Sequence, residues 1–260
     1  MSTPVEAVLL DAGGVLVLPH PEMVRWALGV DFDHQGAARA HHAGIAAIDA
    51  LGRGEWSAYF TAYAMEAGVP ASRLRAVLPA LRGAFGEPDD VDVWSLFVRT
   101  AARALRRLEQ TGVGLAVVSN SDGTVERLLR DNGICQVGEG AGTCVTIVVD
   151  SDAVGAEKPD PAIFTHALDA LGVEPGRAIH VGDTVHADVE GARAAGVRPV
   201  HLDPYGFCPL EDHEHVASLD DVVELVYASR VSPTVTSNSE APVSSAYEVG
   251  LPDDGPRRHL

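Results

Sequence analysis

Five charged or hydroxyl-bearing residues of this chain stand at positions where phosphate or metal chemistry could occur, most of them just after a run of apolar residues. The set comprises Asp11, Ser119, Lys158, Asp183 and Asp188. The runs Ala7–Leu10, Leu115–Val118 and Ala178–Val181 each predict a buried strand. Open α/β sheets bind ligands at the carboxyl ends of their strands. Each residue alone is equally consistent with a helix cap or a turn, so the ordered set carries the prediction.

The residues next to Asp11 and Lys158 favour a close approach of the backbone and of positive charge to a ligand. Gly13 and Gly14 follow Asp11 closely, and glycine allows both a sharp turn and a close approach of the backbone to a neighbour. Lys158 precedes Pro159-Asp160-Pro161, where Pro161 is expected to begin a helix. A lysine held next to a helix start is one way to bring positive charge to an anionic ligand.

This ordered set of motifs resembles the haloacid dehalogenase (HAD) superfamily of aspartate-nucleophile hydrolases, from about Val5 to about Leu225. The segments Lys158–Pro161 and Gly182–Asp183 are its most specific parts. The resemblance implies an α/β fold, a Rossmann-like parallel sheet flanked by helices with an inserted all-helical cap domain. One position departs from the pattern: most phosphatases of the superfamily have Asp-x-Asp in the first motif, and here the second Asp is replaced by Gly13.

The resemblance also implies a metal site. Asp11, the backbone carbonyl of Gly13, and Asp183 would bind Mg²⁺, a hard cation that takes oxygen ligands. A carbonyl ligand does not depend on the side chain, so Gly13 is compatible with this site. Asp188 would either bind the metal as well or orient Lys158.

The roles implied for substrate binding and catalysis fall on four residues. Asp11 would be the nucleophile that forms an acyl phosphate. Ser119 and the backbone amides at the turn of Asn120 would bind the phosphoryl oxygens. Lys158 would pair with Asp11 and with the phosphoryl group as a positive charge. We therefore expect a Mg²⁺-dependent phosphatase that acts on a small phosphorylated metabolite.

The Gly13 replacement removes the residue expected to protonate the leaving group. General acid catalysis typically contributes about 10²–10⁴-fold in rate, so good leaving groups such as aryl or acyl phosphates would suffer least. His20 and His186 are the titratable residues closest in sequence to the motifs that could replace the acid, as could another residue of the cap. The predicted cap contains no recognisable polar signature of a substrate class.

Two other functions remain open at this stage. A metal-independent dehalogenase-type hydrolase also lacks the second Asp, although the Asp183 and Asp188 pair favours a metal. A non-catalytic HAD-like protein that binds a ligand or a partner is the other alternative. A phospho-receiver domain combines similar residues but is about half this length and has no helical insert.

Composition limits the partners and the cellular setting. The 260 residues include 37 acidic and 19 basic side chains, for a net charge of -18, which argues against non-specific nucleic-acid binding and anionic membranes. No apolar run approaches the roughly 20 residues of a membrane span, and we see no signal peptide. The three cysteines fit no metal-binding spacing, and reduced thiols in a cytoplasmic protein are the simplest interpretation. A Cys135–Cys144 disulfide is a less favoured alternative.

Helical periodicity, glycines and composition divide the chain into three predicted parts. Residues 1–16 and 89–227 form the Rossmannoid core, 17–88 form the helical cap, and 228–260 form a disordered tail rich in Ser, Thr and Pro. Within the cap, Met23, Trp26, Ala27 and Val30 are expected to share one helix face. Trp94 to Leu108 is expected to form one amphipathic helix.

Overall fold

A six-stranded parallel sheet forms the centre of the molecule, in a computed structural model that describes residues 4–51, 56–86, 93–98 and 100–230. The strands lie in the order β10 (Glu214–Val216), β9 (Arg198–Leu202), β8 (Ala178–Gly182), β1 (Ala7–Leu10), β4 (Gly114–Ser119) and β7 (Ile147–Asp150). All five neighbouring pairs are parallel. The predicted α/β fold with a parallel sheet is confirmed.

Strand β1 is buried on both faces because helices cover both sides of the sheet. Val8 and Leu10 face one apolar cluster, and Ala7 and Leu9 face the other, as the two-residue period of a strand requires. The helices of the core are α5 (Ala101–Thr111), α6 (Val125–Asp131), α7 (Ser151–Val154), α8 (Pro161–Leu171), α9 (Gly191–Ala194) and α10 (Leu219–Arg230). A π-type helical segment, Val185–Glu190, precedes α9.

Four helices between β1 and β4 form a unit with its own apolar core. They are α1 (Pro21–Leu28), α2 (His34–Leu51), α3 (Trp56–Glu66) and α4 (Leu74–Gly86). Tyr59 and Tyr63 of α3 are fully buried among residues of the other helices. This unit occupies the position of the predicted cap. The domain boundaries at residues 16 and 89 stay predictions, since residues 87–92 lie outside the described part of the chain.

Two short strands connect the helical unit to the core and change one predicted helix. Strand β2 (Val17–Leu18) pairs antiparallel with β3 (Leu96–Phe97). The expected helix over Trp94–Leu108 is therefore wrong in its first part, because residues 96–97 pair as a strand and α5 begins only at Ala101. Apolar spacing alone could not separate a short buried strand from a helical turn.

Two smaller features differ from what the sequence pattern indicates. Trp26 is 68% exposed, so it does not share the buried face of Val24 and Ala27. The apolar run Val145–Val149 does not form one strand but is divided at Thr146, where the chain passes from a small two-stranded sheet to the main sheet. The two strands of that small sheet are β5 (Cys135–Val137) and β6 (Thr143–Val145). The three cysteines are free, as expected.

The last helix extends beyond the predicted start of the tail. Residues 228–230 belong to α10, where Ser229 Oγ accepts from Val5 N at 3.1 Å and the Arg230 guanidinium donates to the carbonyls of Val5 and Thr111. The rest of the predicted tail, 231–260, lies outside the described residues. No helix within the described ranges is long and apolar enough to cross a membrane.

We predict that the last turn of α10 contributes measurably to stability. A chain that ends at Tyr227 loses the hydrogen bonds of Ser229 and Arg230, and we expect its melting temperature to fall by about 2–6 °C, as for a loss of about 1–2 kcal/mol in a domain of this size. A chain that ends at Arg230 is the control and should melt within a degree or two of the full chain. Equal melting temperatures for the two truncations would contradict this assignment.

Candidate active site

Asp11 lies at the carboxyl end of β1, at the centre of the sheet. Its backbone N–H donates to the Val181 carbonyl of β8 at 2.8 Å, which fixes the start of the following turn. Its Oδ1 accepts from the Ala12 backbone N–H at 2.7 Å and lies 2.8 Å from Lys158 Nζ. Burial raises the pKa of Asp11 to about 6, against the lowering effect of Lys158. The carboxylate is thus fixed in position and close to a cation.

Lys158 lies between two carboxylates. Its Nζ is 2.8 Å from Asp11 Oδ1 and 2.7 Å from Asp188 Oδ1, and its side chain is buried. Burial opposes its charge, but the two carboxylates raise the pKa of Lys158 above its ordinary value. The Asn120 side chain holds the lysine backbone from both sides, since Lys158 N donates to its Oδ1 at 2.7 Å and its Nδ2 donates to the Lys158 carbonyl at 3.0 Å.

Asp188 is fixed by partners on β8 and on the loop that follows. His180 Nε2 lies 2.9 Å from its Oδ1, and Thr184 donates to its Oδ2 from both the backbone N–H (3.0 Å) and the hydroxyl (2.5 Å). Burial would raise the pKa of Asp188, but Lys158 and His180 hold it below its usual range. These contacts match an Asp188 that orients Lys158.

Asp183 is in contact with the helical unit rather than with Lys158. Its Oδ2 lies 2.9 Å from His41 Nε2 and 3.8 Å from His42 Nδ1, both on α2. The other nitrogen of His41, Nδ1, lies 2.9 Å from the Tyr59 hydroxyl of α3. Burial lowers the pKa of His41 to about 3 and that of His42 well below its usual value, so both rings are neutral near pH 7. Burial and Asp188 raise the pKa of Asp183 well above its usual range.

The structure requires glycine at only one of the two positions that follow Ala12. Gly14 has a φ of +72°, and a Cβ there would lie 1.9 Å from Asp183 Oδ2, so only glycine allows this approach. Gly13 has no such constraint. A Cβ on Gly13 would lie 3.5 Å from the indole of Trp94, an ordinary contact distance. The position where most phosphatases of the resembled family carry a second Asp is therefore bordered here by an aromatic side chain.

The structure brings four of the five predicted residues into direct proximity. Donor oxygens of Asp11, Asp183 and Asp188 lie within 4.8 Å of one another, and Lys158 bridges two of these residues. Ser119 is buried at the carboxyl end of β4, the strand next to β1. The described contacts of the Asn120 side chain are with the Lys158 backbone; its predicted part in substrate binding, like the other predicted roles, stays a prediction.

Neither histidine suggested by the sequence as a replacement acid has a described contact with these carboxylates. His20 begins α1, where its Nδ1 accepts from Glu22 N at 3.2 Å. The Nδ1 of His186 lies 2.7 Å from Glu190, and both side chains are about half-exposed. The histidine that approaches the turn after Asp11 is His41, whose Nε2 would lie 2.8 Å from a Cβ on Gly14.

Sequence reasoning missed the polar residues that α2 contributes. His41 and His42 contact Asp183, and Asp49 accepts from the backbone N–H groups of Val185 and His186 at 2.9 and 3.4 Å. These residues contact the core and indicate no substrate class, so the expectation about the cap stays a prediction. Adjacent histidines in an otherwise alanine-rich helix were the available signal, because buried histidine needs a polar partner.

Two overlapping groups of potential metal ligands share Asp183. One consists of Asp11, Asp183 and Asp188, and the other of His41, His42 and Asp183. The first offers only carboxylate oxygens, which suit Mg²⁺, whereas imidazole nitrogen suits transition metals. Of the two sets, only the one made of carboxylates contains Asp11, the candidate nucleophile.

Comparison with known proteins agrees with this arrangement. Residues 5–196 match the sequence model of the haloacid dehalogenase-like hydrolase family, over most of the chain. The chain belongs to this family of hydrolases. The match covers β1, the helical unit and every element that contributes to the site, from Asp11 to Asp188.

Individual relatives match only part of the chain, at moderate sequence identity. Haloacid dehalogenase-like hydrolase domain-containing protein 3 of Bos taurus is 35% identical over 136 residues, 50% of this chain and 51% of that protein. A phosphoserine phosphatase of Thermus thermophilus is 35% identical over 172 residues, 62% of this chain and 65% of that protein. The chain thus spans about half to two thirds of the length of these curated relatives.

Among solved structures, a HAD phosphatase from Thermococcus onnurineus has the same fold. It is 22% identical to the hydrolase, with a TM-score of 0.50, and the alignment covers 87% of this chain and 100% of that one.

We predict strong energetic coupling between Lys158 and its carboxylates. Lys158→Met leaves two buried carboxylates without their cation, and we expect it to lower the free energy of unfolding by about 3–5 kcal/mol in urea titrations. Asp188→Asn in the same chain should recover part of that loss, because one of the unpaired charges is gone. If the changes in the free energy of unfolding caused by Lys158→Met and Asp188→Asn are additive in the double variant, the two side chains do not interact as described.

Proposed function

We propose that the hydrolase cleaves phosphate monoesters of a small metabolite, with Asp11 as nucleophile and Mg²⁺ as cofactor. The observation that carries this proposal is the charge imbalance of the site. Three buried carboxylates, Asp11, Asp183 and Asp188, are close together, and Lys158 pairs with Asp11 and Asp188 but not with Asp183. His41 and His42 are neutral near pH 7 and do not correct the imbalance.

This imbalance favours a phosphatase over a metal-independent dehalogenase. A site that expels a halide needs no divalent cation, and extra buried carboxylates would repel the leaving anion. A phosphatase must offset the negative charges of both its nucleophile and its substrate, which a divalent cation can do. Burial and Asp188 raise the pKa of Asp183 in the metal-free site, and a divalent cation bound there would favour the ionised carboxylate.

The residues present fit Mg²⁺. Asp11 and Asp183 would hold it through carboxylate oxygens, with the backbone carbonyl of Gly13 as the third protein ligand and Asp188 either as a further ligand or as a support for Lys158. When bound, the ion would supply positive charge that draws the phosphoryl group and the Asp11 carboxylate together.

In the proposed reaction, the Asp11 carboxylate attacks phosphorus and the bond from phosphorus to the ester oxygen breaks. The leaving oxygen takes up a proton from solvent, since Gly13 supplies none, and an acyl phosphate remains on Asp11. Water then attacks phosphorus and loses a proton to solvent, the bond between phosphorus and the Asp11 oxygen breaks, and inorganic phosphate is released with the carboxylate restored. Lys158 stabilises the negative charge in both steps, and Ser119 donates its hydroxyl to a phosphoryl oxygen.

The residues next to Gly13 determine which esters react fastest. Gly13 supplies no carboxyl group to protonate the leaving oxygen, and the Trp94 indole borders the space that such a group would occupy. We propose that the preferred substrates have leaving groups that need little protonation, such as acyl or aryl phosphates.

A cavity beside the site agrees with a small substrate. It has a volume of about 380 Å³ and lies between α2 and the segment that follows β9. Its lining is mostly apolar, and its polar groups come from two histidines and three aspartates, of which Asp183 is the one that belongs to the carboxylate cluster. Small-molecule sites typically combine apolar walls with a few polar groups in this way.

We predict that Asp11→Asn abolishes hydrolysis while leaving the fold intact, because the amide has the same shape at a strand end. With p-nitrophenyl phosphate and Mg²⁺, turnover should fall by about 10³-fold or more. Asp169→Asn, an exposed aspartate of α8, is the matched control and should retain normal activity. Retention of more than a few per cent of turnover by Asp11→Asn would show that another residue is the nucleophile.

We further predict that Gly13→Asp raises turnover of alkyl phosphates more than that of aryl phosphates. Gly13 does not have a positive φ, so the backbone accepts a side chain there. The new carboxyl group would protonate alkoxide leaving groups, and an alkyl gain of about 10-fold or more is expected. Adding Trp94→Ala to Gly13→Asp removes the indole that borders position 13 and so gives the new Asp side chain more space.

Gly13→Asn is the matched control, since it has the same shape and cannot act as an acid. An equal gain in Gly13→Asn, or a well-folded Gly13→Asp protein without any gain on alkyl esters, would contradict the role given to this position.

A further inference from the structure

A second cluster of metal-binding side chains lies on the edge strands of the sheet, apart from the carboxylates of the active site. His201 of β9 and His215 of β10 are register partners on neighbouring parallel strands, so their side chains lie on the same face. Cys208 and His213 come from the loop between those strands. One donor atom from each of the four residues lies within 4.8 Å of all the others.

The outer nitrogens of the three rings face oxygen atoms. His201 Nε2 lies 2.9 Å from the Asp183 carbonyl, His213 Nδ1 lies 2.7 Å from Asp212 Oδ1, and His215 Nδ1 lies 3.6 Å from Asp203 Oδ2. An oxygen acceptor favours the N–H on the nitrogen that faces it, which leaves a lone pair on the inner nitrogen. Metal-bound histidines are characteristically oriented by such carboxylate and carbonyl partners.

The inner nitrogens face one another and the Cys208 thiol rather than oxygen atoms. His201 Nδ1 and His213 Nε2 lie 2.9 Å apart, and two lone pairs at that distance repel unless a proton or a cation lies between them. His215 Nε2 is buried without a hydrogen-bond partner, which is unfavourable for a polar group. Cys208 Sγ lies 3.9 Å from His213 Nε2. A single cation among these atoms would satisfy them all.

We propose that His201, Cys208, His213 and His215 bind one Zn²⁺ ion. Three imidazole nitrogens and one thiolate form a complete tetrahedral ligand set for zinc, whereas Mg²⁺ prefers oxygen. Binding requires the Cys208 thiol to lose its proton to solvent. All four positions are filled by the protein, so the ion is structural. Sequence spacing does not indicate this ligand set, because His201 and His215 are on strands that become neighbours only in the fold.

The position of the site indicates what zinc does for the enzyme. The loop that carries Cys208 also contributes Phe207, Pro209 and Leu210 to the wall of the 380 Å³ cavity. His201 connects the cluster to the backbone of Asp183, a residue of the active site. Zinc would therefore fix one wall of the substrate cavity and the backbone position of Asp183, without taking part in the reaction.

Cobalt substitution tests this site on the full chain. After chelator dialysis under reducing conditions, one equivalent of Co²⁺ should give the intense visible bands of tetrahedral cobalt and a sulfur-to-cobalt charge-transfer band in the near ultraviolet. One equivalent of Zn²⁺ should bleach both, and a large excess of Mg²⁺ should not. Zinc should also raise the melting temperature of the metal-free protein.

Three variants assign the signal to individual ligands. Cys208→Ser should remove the charge-transfer band, and His213→Ala should weaken zinc binding by about tenfold or more. Cys144→Ser, which changes a cysteine outside the cluster, should bind like the wild type. Absence of stoichiometric cobalt binding by the wild type would overturn the proposal, and so would a charge-transfer band that survives in Cys208→Ser. Because the readout is spectroscopic, it is independent of the proposed phosphatase activity.

Discussion

The contact of Lys158 with both Asp11 and Asp188 is the interaction on which the organisation of the site depends. Buried ion pairs of this kind add little net stability because both charges lose their hydration. Their value lies in fixing positions: β1 holds Asp11, Asn120 holds the lysine backbone, and His180 with Thr184 holds Asp188. Elements far apart in the sequence are thereby assembled around one ammonium group.

The second constraint is the contact between the helical unit and the core at Asp183. His41 and His42 reach the carboxylate, while Asp49 accepts two backbone N–H groups from the segment that follows it. Gly14 approaches the same carboxylate so closely that no side chain fits. A displacement of α2 therefore changes the surroundings of Asp183 directly, so the helical unit can influence the active site through a contact as well as through the shape of the cavity.

The core of the fold and the main motifs were predictable because they depend on local patterns. Apolar runs that end on Asp11, Ser119 and Asp183 are strands, and Pro161 and Gly172 bound a helix just as their conformational preferences indicate. The short strand at Leu96–Phe97 was not predictable, because its partner Val17–Leu18 is separated from it by the whole helical unit. The histidines around Asp183 and Cys208 were missed for the same reason: their relation is spatial, and sequence spacing does not contain it.

The central claim is that Asp11 forms a covalent acyl phosphate, and chemical trapping tests it most directly. An aryl phosphate releases its leaving group rapidly, so the phosphorylated enzyme should accumulate during turnover. Acid quench followed by borohydride reduction converts an aspartyl phosphate to homoserine, which peptide mass spectrometry locates. The account predicts homoserine at position 11, in amounts that depend on Mg²⁺. Unmodified Asp11 in enzyme quenched during rapid turnover, or homoserine at another aspartate, would contradict it.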